Sequence, residues 1–109
     1  MQRANLVMVF SLLFPLAAHA EEPGDKLAGL AFARANCTEC HAVVAGAQYS
    51  PNIKAPTFEA VARTAGMTGR ALAVWLQTSH PSMPNIILGK DERDNVIAYI
   101  LSLRPTPAQ

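Results

Sequence analysis

Cys37-Thr38-Glu39-Cys40-His41 places two thiols and an imidazole within five residues, and the rest of the chain is read outward from it. With two residues between them, the sulfurs stand about one helical turn apart, and the imidazole follows directly. This arrangement predicts covalent attachment of one haem c. Cys37 and Cys40 would form thioethers with the two vinyl groups along one porphyrin edge, and His41 would approach the iron from one face. Other uses of the same residues fit less well. A Cys37–Cys40 disulfide closes too short a loop to constrain the unfolded chain much. A thioredoxin-like pair needs a βαβ setting, and no parallel-sheet pattern is present. A zinc site would need Cys37, His80 and the adjacent Cys40 and His41 as joint ligands, an awkward demand for a tetrahedral shell.

An iron held by His41 has one further axial position. Downstream, the sequence offers His80, Met67 and Met83 for it. Met83 is the expected ligand, because His80-Pro81-Ser82-Met83-Pro84 is a proline-stiffened loop, far enough from His41 to reach the other face of the ring. Met67 is read as core or surface, and His80 as a surface or haem-edge side chain whose backbone Pro81 restricts. The metal ligands are therefore predicted to be His41 and Met83.

The chain has 109 residues, enough for one small domain. Its first twenty read as a secretory signal: Arg3 near the start, an apolar stretch from Leu6 to Ala18, and Ala18-His19-Ala20 before the presumed cut. That stretch is short for a membrane-spanning helix, which needs roughly 20 residues. The expectation is a signal peptide over 1–20 and a domain over 21–109, located in the periplasm with no membrane span in the mature chain. Removing the signal takes away Arg3 and leaves basic and acidic side chains in equal number, spread without a run. A nucleic-acid partner is therefore not expected. Most of these charges, Arg104 included, read as solvated surface.

Helical spacing dominates the remainder. Asp25 can cap a helix through Asn36, with Leu27, Leu30, Ala31 and Phe32 on its apolar side. Thr57 can cap a second through Arg63, with Phe58, Val61 and Ala62 inward. Thr68 can cap a third to about Thr78, carrying Leu72, Trp75 and Leu76. A fourth runs from about Lys90 to Leu103, with Val96, Ile97, Ile100 and Leu101 on one face, before Arg104-Pro105 stops it. Between the Cys-His segment and the second helix lies a long loop, Ala42 to Pro56, read as a cover that buries Val43, Val44, Tyr49 and Ile53. A second loop, Ser79 to Gly89, is broken by Pro81 and Pro84, and its Ile86-Ile87-Leu88 can anchor it to the core. The fold class is all-α: about four short helices and two long loops around one covalently bound haem.

In order along the chain, Gly29 in the first helix, the Cys37–His41 motif, Ala55-Pro56, Trp75-Leu76, His80 to Pro84, and Asn95 to Leu103 with Tyr99 resemble the small, soluble, exported bacterial class I cytochromes c. The resemblance spans essentially residues 21–109. It implies a class I cytochrome c-like fold in which Gly29 lets the first helix cross the last closely near Tyr99. It also implies that the Pro56 carbonyl accepts a hydrogen bond from His41 Nδ1, although Ala55 stands where many relatives carry Gly. Trp75 reads as core by its spacing, or as a donor to a haem propionate. Tyr49 reads as a propionate contact or as solvent-facing. The implied function is outer-sphere electron transfer between redox partner proteins, with no catalytic residue. The competing assignment, a haem subunit fixed in a periplasmic dehydrogenase or oxidase complex, is separated from a free carrier by copurification under gentle conditions.

Overall fold

Side chains mark the helix starts in this chain. In the computed structural model, which describes residues 22–78 and 86–106, the Asp25 carboxylate opens α1 (Lys26–Asn36) by accepting from the backbone N–H groups of Leu27 and Ala28. The Thr57 hydroxyl does the same for α2 (Phe58–Arg63) at Ala60, and Thr68 for α3 (Gly69–Gln77) at Ala71. At α4 (Lys90–Ser102), Glu92 reaches back to accept from the N–H of Gly89. Each bond satisfies a terminal donor that has no partner inside the helix or at its entry. The four elements fall where the sequence places them, and the described residues contain no strand, so the all-α class stands. None of these helices is long and apolar enough to cross a membrane. The predicted signal segment lies outside the described residues, as does the part of the second loop that carries His80 and Met83.

α4 packs against each of the other three helices, and its principal partner is α1. Their approach depends on Gly29. A Cβ built there would overlap the Asn95 backbone and come within 2.9 Å of Tyr99 Cβ. Gly24, at φ +120°, turns the chain into α1 in equally close contact with the backbone of Asp94. Asn95 Oδ1 then accepts from the Asp25 N–H at 2.7 Å, fixing the entry of α1 to the flank of α4.

This crossing corrects the apolar face expected for α1. Gly29 and Ala33, one helical turn apart, form the buried stripe, and Leu30 and Phe32 are half-buried beside it. Leu27 and Ala31 lie on the next stripe and are exposed, because the close backbone contact at Gly29 decides which side of the helix turns inward. The core comprises Ala33, Val43, Phe58, Ala62, Leu72, Val96, Ile97, Tyr99 and Ile100.

Tyr99 ties this core to the loop after the Cys37–His41 segment, since its buried hydroxyl donates to the carbonyl of Val43, two residues beyond His41. Burial raises the Tyr99 pKa, with Arg34 opposing weakly. A phenol whose folded pKa is raised contributes its full stability below the ordinary value of about 10 and loses it as pH climbs through the higher folded value. Stability should therefore fall above about pH 10. Tyr99→Phe should lose about 1 kcal/mol at neutral pH, from the missing hydrogen bond, while flattening that alkaline decline. Denaturant unfolding from pH 7 to 11 measures both effects.

Candidate functional site

The carbonyl of Cys37 accepts from the N–H of Cys40 at 3.2 Å and of His41 at 2.9 Å, so the motif continues α1 as a tight turn. No disulfide joins the two cysteines, and both are partly buried. Burial pushes the Cys37 thiol above its ordinary pKa. Among the described residues no group of three or more His, Cys, Asp or Glu side chains gathers to hold a metal ion, and His80, which the zinc alternative needs, lies outside them.

His41 is fixed from several directions. Its Nδ1 lies 2.7 Å from the carbonyl of Pro56, and because a carbonyl can only accept, Nδ1 carries the proton. Nε2 is left with a free lone pair, the form in which an imidazole binds iron. The turn before Pro56 forms with alanine in place, since Ala55 N–H donates to Asn52 at 2.9 Å. Ala42, next along the chain, is held by both of its backbone groups: its N–H donates to Ser50 Oγ and its carbonyl accepts from Phe58 N–H, each at 3.0 Å. Phe58 also packs its ring against the imidazole, with centroids 5.4 Å apart. Ser50 carried no sequence signal for this role, because a serine in a loop looks like any polar surface residue.

Cys37, Cys40 and His41 open onto one cavity of about 460 Å³. Asn52, Lys54, Ala55 and Pro56 line it from the loop. Phe58, Val61, Thr64 and Met67 form a wall from α2 and the turn after it, while Leu72, Trp75 and Leu76 enter from α3 and Ile100 from α4. Its volume lies in the usual range for cofactor pockets, about 300–1,000 Å³, and its surface is overwhelmingly apolar. A large, flat, apolar macrocycle with one metal suits such a space: two sulfurs and one imidazole nitrogen sit at one side, and hydrocarbon lines most of the remainder. The residues present therefore fit a haem.

Three expectations need correction. Of the loop residues expected to be buried, only Val43 is; Val44, Tyr49 and Ile53 are exposed, the last at 85%. The loop is held instead by polar bonds: Ala42 N–H donates to Ser50 Oγ, and Gly46 N–H donates to the Glu59 carboxylate at 2.7 Å. Trp75 stays outside the buried core: it is 53% exposed and lines the cavity, whereas Leu72, three residues earlier on the same helix face, is buried. Ile87 is exposed and Leu88 half-buried, so only part of the apolar segment before α4 anchors to the core. Met67, read as core or surface, is half-buried and faces the cavity. Met83 and His80 fall outside the described residues.

Comparison with known proteins gives two matches. The profile of the family described as "Cytochrome c" matches residues 27–104. Cytochrome c-552 of Bradyrhizobium diazoefficiens is 39% identical over 77 residues, covering 71% of this chain and 73% of that protein. No solved structure matches significantly.

Proposed function

This chain belongs to the cytochrome c family, and from that premise we propose that it is an exported, periplasmic one-electron carrier that shuttles between redox proteins and performs no catalysis of its own. The covalently bound haem c supplies the ferrous–ferric couple. Cys37 and Cys40 would hold the group through their sulfurs, and His41 Nε2 and Met83 would supply the ligands to its iron. The observation that carries this reading is the Nδ1–H bond from His41 to Pro56 at the edge of an apolar cavity that Cys37 and Cys40 share. That bond fixes the tautomer and orientation of the imidazole before any iron binds, which would keep rearrangement small on electron transfer. Phe58, Leu72, Leu76 and Ile100 line the cavity with hydrocarbon, which would limit solvent reorganisation around a bound haem. The two axial side chains leave no position for a substrate.

The test is a redox titration paired with a peroxide assay. The protein should titrate reversibly as a single one-electron centre, and the ferric form should not consume hydrogen peroxide in the presence of an added electron donor. Sustained peroxide turnover would replace the carrier reading with a peroxidase one, which requires an open iron.

A further inference from the structure

Arg104 lies just beyond the end of α4, where a cation is favoured by the exposed helix carbonyls. Its side chain is more than a solvated charge. Nε donates to the carbonyl of Ala62 at 3.0 Å, and Nη2 donates to the carbonyl of Met67. Ala62 sits in the last turn of α2, where backbone carbonyls run out of helical partners, and it is 1% exposed. Met67 closes the turn between α2 and α3, and its side chain lines the cofactor cavity beside Val61 and Thr64.

Phe58 and Ala62 seat α2 in the core, whereas the turn that follows it, 64–67, contributes no buried residue. α2 is only six residues long, too short to be stable alone. The N–H groups of Thr64 and Met67 bond to Val61 and Thr64 respectively, which shapes the turn without setting its distance from α4. A guanidinium is permanently charged and forked, so it can engage both carbonyls at once.

We propose that Arg104 is a positioning residue of the cofactor cavity, locking the turn that carries Met67 against the end of α4 and so setting the packing and water access of that wall. This rests on the proposed function, because its redox consequence requires a bound haem. Solvent access and local polarity around a metal centre tune its potential. Water admitted through a loosened wall favours the more highly charged ferric state, so losing Arg104 should lower the potential.

The experiment uses haem-loaded protein labelled with 13C-methyl methionine, with the Met67 methyl resonance assigned through Met67→Leu. Arg104→Ala, Arg104→Gln and Asn95→Ala are compared with wild type for melting temperature, reduction potential and the Met67 resonance of the ferric protein. Asn95→Ala removes the contact to Asp25 and serves as a stability control: it should lower the melting temperature and leave the other two readouts unmoved. Arg104→Ala should shift or broaden the Met67 methyl and lower the potential. Arg104→Gln, able to reach only one carbonyl, should do both to a smaller extent and serves if the alanine variant does not fold. A lowered melting temperature with Met67 resonance and potential both unmoved in the Arg104 variants would overturn the proposal and leave Arg104 a purely structural staple. Wild-type protein without haem would overturn the proposed function instead, and the first optical spectrum shows which case holds.

Discussion

Gly29→Ala should strip the protein of a large part of its stability, although alanine is the better helix former by about 1 kcal/mol. The added methyl has nowhere to go. It would lie 2.5 Å from the carbonyl carbon of Asn95 and 2.9 Å from Tyr99 Cβ, and the first of these is backbone inside α4 that no rotamer change can move. The helices must separate, and overpacking of this kind costs about 1–3 kcal/mol or more where side chains can still adjust. Separation would also strain the Asn95–Asp25 bond and the Tyr99–Val43 bond, so the segment carrying His41 would loosen with the helix pair. In a domain this small, each kcal/mol moves the melting temperature by about 4–8 °C. Thermal unfolding of the haem-loaded protein should therefore show a loss above about 10 °C. A melting temperature that is unchanged or raised, as helix propensity alone would give, contradicts the crossing.

Met83→Ala should have the largest effect on the redox centre. Under the proposed function, Met83, with Pro81 and Pro84 near it in the sequence, would supply a soft thioether to the iron that His41 also binds. Ferric wild-type protein should show the weak near-infrared sulfur-to-iron charge-transfer band, and Met83→Ala should abolish it. The same variant should lower the reduction potential and open the iron to small ligands, because water is a poor substitute for a thioether in holding the ferrous state. His80→Ala should shift the potential only slightly. Met67 is the internal control that the structure adds, since its thioether also lines the cavity. Met67→Ala should leave the band intact. A band that survives Met83→Ala and disappears with Met67→Ala would transfer the ligand role to Met67, and a bis-imidazole spectrum in the wild type would remove methionine altogether.

Legibility in the sequence followed the kind of interaction involved. Asp25, Thr57 and Thr68 announce their helices because capping is local, needing only the residue and the two or three that follow it. The haem motif is equally local, and its cysteines and histidine line one cavity as its spacing requires. The close crossing at Gly29 near Tyr99 was expected through family resemblance and is present, whereas the inward face of α1 is less readable from the residues, because Gly29 acts by having no side chain and a count of apolar residues passes over it. The Ala42–Pro56 loop is hard to read for a related reason: its apolar residues suggest burial, whereas Ala42 and Gly46 N–H groups donate to Ser50 and Glu59, which hold it and leave Tyr49 and Ile53 exposed. Arg104 looked like a helix stop with a surface charge, since its acceptors are main-chain carbonyls that sequence does not distinguish. The Pro56 contact to His41 was expected through family resemblance, and it survives the replacement of glycine by Ala55 because the turn closes through Asn52.

Everything proposed for the redox centre depends on a haem joined to Cys37 and Cys40 in an exported chain, and the intact mass of the protein recovered from the periplasm tests this directly. The expected value is that of Glu21 to Gln109 plus one haem, unchanged after acid–acetone extraction. A mass equal to that chain alone, or haem released into the acetone phase, would contradict covalent attachment and the carrier built on it.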